Sequence, residues 1–532
     1  MFAIRLTSKL MVVMLLLLCL PHFAECEEPE PDVVKTMQGQ VTNIDPYCTG
    51  MVVVDGIALE TFDFDPDLEG FQIGDFVEVT YIEKQYGSRN VNDLQSIVKS
   101  TQNEEAEKDI LKTIQNDKSH FGARGLNYFS KKDELDFGCQ LASQAGAGWW
   151  HVGISWNSVE PEKPQDGVHH YRWKKTDKKI QASLNFNIDV LPITTCKSSW
   201  GSIHKKGSEG GVPKPEHMED YQDFIRHLIE RYDGDGMDDA PFVTPDKRIK
   251  HWVVENEPGP NHWCASSVEV TAQEYASHFI ITQQAIKETD PTAQVSLAGF
   301  GSAGALGLND TTTFTDVLQL LSEQDVDFDF LVFHNYKQPE TIPICFEFIQ
   351  DKLNQYGFGT KKVWLTETNF YKDGIKDQLG EPTEYNKIEF DALVAEGMVK
   401  RFVYAFSTGI ETVIEHTFVD QVPWPEKSSF SYYRGLVDRE LNPKPVYYAY
   451  QTMASRLEAF DYADQIHESS YYLFKFDFSN KNSVYVAWSD DEKQVDLDLG
   501  PVKATDIYGN ETVRDSSELT LTGSPLFVEQ MG

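Results

Sequence analysis

Two short stretches of the chain combine an apolar, strand-like run with acidic residues at its end. Residues 252–258 pass from Trp-Val-Val into Glu-Asn-Glu-Pro, and residues 363–369 pass from Val-Trp-Leu into Thr-Glu-Thr-Asn. A carboxyl group can donate or accept a proton or attack an electrophilic carbon, so a pair can carry out acid–base or covalent catalysis. The candidates are Glu367 and either Glu255 or Glu257. Side chains two residues apart on a strand share a face, so spacing alone leaves that choice open.

Such a pair can act together only if the fold brings both strand ends to one place. Between about His120 and Phe460, strand-like apolar runs alternate with amphipathic helical stretches, which is the pattern of a parallel sheet with crossover helices. We count eight strand candidates: residues 121–126, 149–156, 188–195, 251–256, 294–299, 328–334, 362–367 and 412–416. Eight such units predict an α/β fold, a (β/α)8 TIM barrel over residues 118–460. In that fold all strands direct their carboxyl ends at one pocket.

The sequence on either side of this region has a different rhythm. Residues 36–98 alternate short β-like runs with turns, which predicts a small N-terminal β-barrel similar to oligonucleotide/oligosaccharide-binding (OB) folds. Residues 462–532 return to a period of two and predict a C-terminal antiparallel β-sandwich domain. Neither flank contains an acidic motif comparable to the two strand ends.

The amino terminus has the composition of a targeting segment. An apolar run at residues 11–20 follows Arg5 and Lys9 and precedes small residues, so residues 1–26 are predicted to be a secretory signal peptide. A helix of that length rises about 15 Å, roughly half a bilayer core, so no integral membrane span is expected. We therefore expect a secreted, extracellular or periplasmic protein. Lipid attachment at Cys26 is the alternative, disfavoured because Glu25 precedes it.

Charge and cysteine content exclude several classes of function. The chain has 47 Lys+Arg against 84 Asp+Glu, a net charge of −37, which argues against nucleic acid as a partner. The cysteines show no CxxC spacing, so no zinc ribbon and no cofactor are predicted. The aspartate-rich residues 233–239 suggest a calcium loop but lack the spaced Glu, so an acidic turn is favoured and no metal site is predicted.

The strand-end motifs resemble a known group of proteins. Asn256-Glu257-Pro258 after strand candidate four, with Glu367 at strand candidate seven, resembles the clan A glycoside hydrolases, which share the TIM barrel. Similar motifs occur at residues 156–161, 334–336, 435–436 and 443–445. The resemblance is nearest to the β-xylosidase/iduronidase and cellulase/mannanase families.

This resemblance implies a role for each of four residues. Glu257 would be the acid/base and Glu367 the nucleophile, with Asn256 donating to the sugar 2-hydroxyl and Tyr336 orienting Glu367. Hydrolysis with retention requires the two carboxyl groups to lie about 5 to 5.5 Å apart.

Three further residues have open interpretations. His334 is predicted either to bind a substrate hydroxyl or to be a hydrogen-bonded core histidine. Trp424, after strand candidate eight, is either a stacking platform for sugar or an anchor of its loop. His151 stands in strand candidate two where many clan members carry an arginine that supports the nucleophile.

Cys196 and Cys264 follow neighbouring strand candidates, so a disulfide between them is geometrically reasonable.

The resemblance and the two acidic strand ends together predict a secreted retaining β-glycosidase that acts on poly- or oligosaccharides without a cofactor. The rival hypothesis is a carbohydrate-binding or adhesion protein on a barrel with reduced turnover. His151 favours the rival, whereas the paired carboxylates favour the enzyme, because an inactive site has little physical reason to keep two repelling charges together.

Overall fold

The structure is a computed structural model of the 532-residue chain. It describes residues 34–45, 51–54, 57–60, 76–86, 89–99, 119–126, 129, 132–203, 211–258, 270–301, 311–370 and 372–531. The predicted signal peptide, Cys26 and Cys264 lie outside these residues. The chain divides into two compact units, residues 1–105 and 106–532.

The first unit contains a small closed β-barrel. Its five strands are β1 (Val34–Asp45), β2 (Met51–Val54), β3 (Ile57–Glu60), β4 (Phe76–Tyr86) and β5 (Arg89–Lys99). They close in the order β1-β2-β3-β5-β4, with β3 and β5 parallel and the other pairs antiparallel. The small N-terminal barrel predicted from the alternating runs is therefore present.

The second unit is built around a closed parallel barrel, as the alternating pattern predicts. Its strands are β6 (Phe121–Arg124), β7 (Trp149–Ser155), β8 (Asp189–Thr195), β11 (His251–Val254), β12 (Gln294–Ser296), β13 (Phe300–Gly301), β14 (Phe330–Asn335), β15 (Lys362–Thr368) and β16 (Thr412–His416). The order is β12-β11-β8-β7-β6-β16-β15-β14-β13, and a β12–β14 pairing completes the ring. β12 and β13 are two segments of the fifth strand. A two-stranded ribbon, β9 (Ser202–Ile203) with β10 (Val212–Pro213), follows the third.

Helices connect the barrel strands. They are α1 (Lys132–Gln144), α2 (Trp156–Val159), α3 (Lys174–Asn185), α4 (Met218–Glu230), α5 (Ala272–Thr289), α6 (Thr311–Glu323), α7 (Thr341–Gln355), α8 (Lys372–Leu379), α9 (Lys387–Ser407) and α10 (Pro445–Leu457), with short 3₁₀ turns at Pro215–His217, Phe430–Tyr432 and Ser516–Glu518. Thr271 and Glu274 form a reciprocal capping box that fixes the start of α5. Within the described residues, none of the helices has the length and apolar character needed to cross a bilayer.

Apolar side chains fill the inside of the barrel. A buried cluster contributed by six of its strands consists of Trp149, Leu191, Ile193, Val253, Phe330, Val332, Trp364 and Ile414. The larger core lies between the strands and the surrounding helices. The packed interior supports the carboxyl ends of the strands, where the acidic residues lie.

The chain ends in an antiparallel β domain. Its strands are β17 (Tyr462–Glu468), β18 (Tyr472–Asp477), β19 (Val484–Trp488), β20 (Lys493–Val495), β21 (Pro501–Asp506), β22 (Glu511–Asp515), β23 (Leu519–Leu521) and β24 (Leu526–Gln530). Six form one sheet, and β20 and β23 form a second, packed on it through an apolar cluster. Tyr404 of α9 packs edge-on against Phe474 and Trp488, so the domain also contacts the barrel.

Candidate active site

The structure places Glu257 and Glu367 at the carboxyl-terminal end of the barrel, with one histidine between them. Nδ1 of His334, on β14, lies 2.5 Å from Oε1 of Glu257 and 3.7 Å from Oε2 of Glu367. Both carboxylates therefore contact the same ring nitrogen. His334 is 1% exposed, and a Cβ at Gly299 would lie only 2.1 Å from its Nε2, so the glycine makes room for the ring.

A sharp turn at the end of β11 separates Glu255 from Glu257. Both have left-handed backbone conformations, with φ of 67° and 48°, and Asn256 between them bridges to Gly299 of the fifth strand. The prediction that Glu255 and Glu257 share a face is therefore wrong, because strand alternation ends at Val254. The Glu255 carboxylate accepts a hydrogen bond from the Cys196 amide and lies 3.4 Å from Nε2 of His278 on α5. Glu257 is the one that faces Glu367.

Glu367 is surrounded by groups that stabilise a negative charge. The Tyr336 hydroxyl donates to its Oε2 at 2.7 Å, and the guanidinium of Arg124 forms an ion pair with its Oε1. Arg124 ends the first barrel strand, and sequence reasoning missed it. The signal was present, because Arg124 stands where an apolar strand ends, as the two glutamates do.

His151 lies beside Arg124, since the two are register partners on β6 and β7. The side chain is 1% exposed, and its Nδ1 lies 3.0 Å from the Leu191 carbonyl, which fixes Nδ1 as the protonated nitrogen. Burial, followed by the charge of Arg124, holds the His151 pKa well below its usual value, so the ring is neutral. The arginine next to the nucleophile candidate therefore comes from strand one, while strand two supplies a neutral histidine.

His151, His334 and Glu367 could in principle hold a metal ion. Their ligand atoms lie within 4.8 Å of one another, and two histidines with a carboxylate are a common ligand set for a divalent cation. The Arg124 guanidinium, however, is paired with the same carboxylate and would repel a cation. The donor set does not fit a metal site.

A second layer of ionisable groups lies behind Glu367. Glu415 on β16 is 1% exposed and accepts a hydrogen bond from Asn369. Burial raises the Glu415 pKa to about 8 against the opposing charge of Arg401. Arg434 stacks over the Tyr336 ring at 5.1 Å, and the His416 ring contacts Tyr336 edge-on at 5.9 Å. Sequence reasoning predicted none of these groups except Tyr336, because they come together only through the curvature of the barrel.

Trp424 lies among aromatic side chains of its own loop and of α9. Its ring centroid is 5.0 Å from Phe390 and 4.6 Å from Tyr433, and its Nε1–H donates to the Thr383 carbonyl at 3.0 Å. These contacts are the ones a loop anchor makes. A stacking face for sugar would have to come from the part of the ring that is left exposed.

The aspartate-rich loop after α4 is hydrogen-bonded within itself. The Asp239 carboxylate accepts from the Gly234 and Gly236 amides, and that of Asp235 accepts from the Met237 amide. These bonds are those of a turn, and the carboxylate oxygens of Asp233, Asp235 and Asp239 also lie within 4.8 Å of one another, so the choice between an acidic turn and a calcium loop stays a prediction. Cys196 is buried as a thiol, and its proposed partner Cys264 lies outside the described residues.

Comparisons with known proteins support the barrel and its C-terminal domain. No protein-family model and no curated protein sequence matches the chain. Among solved structures, a family 39 glycoside hydrolase from Bacteroides cellulosilyticus WH2 aligns with a TM-score of 0.58 at 14% identity, covering 94% of this chain and 95% of that one. A GH39 β-xylosidase from Caulobacter crescentus aligns with a TM-score of 0.54 at 14% identity, covering 77% and 95%. A glucosidase from Croceicoccus marinus aligns with a TM-score of 0.53 at 12% identity, covering 78% and 97%. The chain therefore has the fold of these proteins.

Proposed function

We propose that this protein is a secreted retaining β-glycosidase that hydrolyses O-glycosidic bonds in poly- or oligosaccharides. The observation that carries the proposal is the pair of strand-end carboxylates, Glu257 and Glu367, separated by a single imidazole nitrogen. Retaining enzymes hold their carboxyl groups closer together than inverting enzymes do, and a pair of carboxylates that contacts one ring nitrogen supports the closer arrangement. The similar solved structures named as glycosidases, and the signal-like segment at residues 1–26, agree with this function.

The reaction would proceed in two displacements. In the first, the Glu367 carboxylate forms a bond to the anomeric carbon as the glycosidic C–O bond breaks, and Glu257 gives its proton to the leaving oxygen. In the second, Glu257 takes a proton from water, the water oxygen bonds to the anomeric carbon, and Glu367 leaves. Tyr336 and Arg124 hold Glu367 in place and stabilise its charge before attack and after release.

The rival hypothesis is a carbohydrate-binding protein. His151 favours it slightly, because an arginine beside the nucleophile is expected at that position. Arg124 supplies a guanidinium to Glu367 from the neighbouring strand. The site thus contains the charge whose absence favoured the rival.

A panel of aryl β-glycosides and polysaccharides tests the proposal. We expect Glu367→Ala to lose roughly 10⁵-fold in kcat on every substrate, the scale on which removal of a covalent nucleophile acts. Glu257→Ala should retain activity on glycosides with good leaving groups, and azide should restore its second step and give a β-glycosyl azide. The control is Glu411→Gln, which should stay active. The Glu411 carboxylate accepts a hydrogen bond from Trp364 at the amino-terminal side of the barrel, away from the two candidate catalytic residues. No turnover by the wild-type protein on any member of the panel would refute the proposal.

A further inference from the structure

Glu255 is a buried carboxylate without a part in the two displacements. It is 3% exposed and directed away from Glu367, towards the Cys196 amide and His278. Nε2 of His278 lies 3.4 Å from Oε1 of Glu255 and 3.5 Å from the Tyr221 hydroxyl, so the ring contacts both groups. A buried polar group costs free energy unless it has hydrogen-bonding partners, so a carboxyl group with no task here would be better replaced by an apolar residue.

One face of α5 supplies the groups that hold this region. The Tyr275 hydroxyl donates to the Val254 carbonyl at 2.9 Å and accepts from the Ala298 amide at 2.6 Å. His278, one turn later, meets Glu255, and the Thr282 hydroxyl lies 3.2 Å from that of Tyr221 on α4. The helix therefore contacts both the last residue of β11 and the first residue of the turn.

The turn requires this support because its backbone is strained. Left-handed φ values at two non-glycine residues, Glu255 and Glu257, cost free energy and persist only where the surroundings enforce them. The Glu255 amide donates to the Thr194 carbonyl at 2.9 Å, so backbone and side chain of Glu255 are both held by the third strand and its following residue. Release of Glu255 would let the turn relax and carry the Glu257 carboxylate with it.

We propose that Glu255 and His278 are positioning residues that lock the turn after β11 and so direct Glu257 at the leaving group of the substrate. The inference rests on the proposed function and deepens it. It assigns Glu255 to the support of the acid/base rather than to the reaction itself.

The dependence of kcat/KM on the leaving group distinguishes a residue that positions Glu257 from one that only stabilises the fold. A misplaced proton donor slows departure of poor leaving groups, whereas good ones need little protonation, and attack by Glu367 is unchanged. We expect His278→Phe to lower kcat/KM by about 10- to 100-fold on alkyl glycosides and by less than about 3-fold on dinitrophenyl glycosides. Glu255→Gln keeps an acceptor for the Cys196 amide. It should also lower kcat/KM more on alkyl than on dinitrophenyl glycosides, but by a smaller factor.

Glu160→Gln is the matched control. Glu160 is also 1% exposed and also paired with a histidine, His169, at 2.8 Å, but it follows α2, away from the turn after β11. The control should lower stability without changing the ratio between the two substrate types. Equal losses on both substrate types in the His278 and Glu255 variants would overturn the inference.

A crystal structure of each variant gives a second readout that does not depend on turnover. The distance between Oε1 of Glu257 and Nδ1 of His334, 2.5 Å here, should lengthen beyond about 3.5 Å, outside hydrogen-bonding range. An unchanged distance in both variants would refute the inference even if activity fell. If the wild-type protein hydrolyses no glycoside, the proposed function fails, while this distance still decides the inference. Should His278→Phe fail to fold, the isosteric Glu255→Gln decides it alone.

Discussion

The two sides of the pocket hold their carboxylates in different ways. On the β11 side, Glu257 is hydrogen-bonded to His334, and the imidazole ring of His334 is charged only when it is protonated. On the β15 side, Glu367 is paired with Arg124, whose charge is permanent, and accepts from Tyr336. A permanent positive charge favours the ionised form of a carboxylate, which a nucleophile needs, whereas the imidazole hydrogen-bonded to Glu257 can exchange a proton. The difference supports the roles proposed for the two residues, independently of any sequence motif.

The largest effect is expected from changing Arg124, and from exchanging it with His151 on the neighbouring strand, because Arg124 forms the ion pair with Glu367. We expect Arg124→His to lower kcat by about 10²- to 10³-fold, the effect of removing one preorganised electrostatic partner. Because Arg124 and His151 are register partners, the double variant Arg124→His/His151→Arg should recover at least about 10-fold of that loss. Activity on aryl glycosides is the measurement.

Arg226→Gln serves as the control for this exchange. Arg226 forms a surface ion pair with Glu288 at 3.2 Å, and its loss should leave kcat unchanged. Full activity of Arg124→His would show that the two sides of the pocket do not differ in the way described.

Glu415, in the layer behind Glu367, should make the free energy of unfolding depend on pH. Burial raises the Glu415 pKa from 4.5 to about 8, so the carboxyl group is neutral in the folded protein and ionised in the unfolded chain between these values. Its contribution to stability is complete below pH 4.5 and is lost as the pH rises through 8. We expect Glu415→Gln to gain stability relative to wild type by on the order of 5 kcal/mol between pH 4.5 and 8.5. Urea unfolding at both pH values measures this difference.

Glu411→Gln provides the reference for the Glu415 experiment. Glu411 is a partly exposed carboxylate that accepts from Lys362, so its variant should not gain stability as the pH rises. Equal pH dependence of the Glu415 variant and wild type would mean that Glu415 is ionised in the folded protein and that the layer carries more negative charge than described.

The smallest expected effect is at Trp424. Trp424→Phe keeps the aromatic packing and removes the hydrogen bond to Thr383, so the free energy of unfolding should fall by about 1 kcal/mol while KM changes less than about 3-fold. Trp200→Phe removes a similar indole bond, to the Glu160 carbonyl, and should give a similar loss of stability. A rise in KM above 10-fold for Trp424→Phe alone would identify this ring as a sugar platform.

Much of the fold could be predicted because it follows from local pattern. All eight strand candidates overlap a barrel strand, with bounds that differ by a few residues, since a buried parallel strand is a short apolar run between helical stretches. The fifth candidate contains β12, whereas β13 begins at Phe300, one residue after the candidate ends; the strand of the fourth candidate ends at Val254. Neither irregularity follows from hydrophobicity, because each is a backbone feature imposed by neighbouring strands.

The pattern of apolar runs and acidic residues is enough to place Glu257 and Glu367 at the same end of the barrel. Three contacts were visible only in the folded chain: Glu255 turns outward to His278, Arg124 rather than a strand-two arginine reaches Glu367, and His334 lies between the two carboxylates. The end of the barrel at which a residue lies depends on strand direction, which local periodicity encodes, whereas contacts around the ring depend on register and backbone bending between segments far apart in the chain.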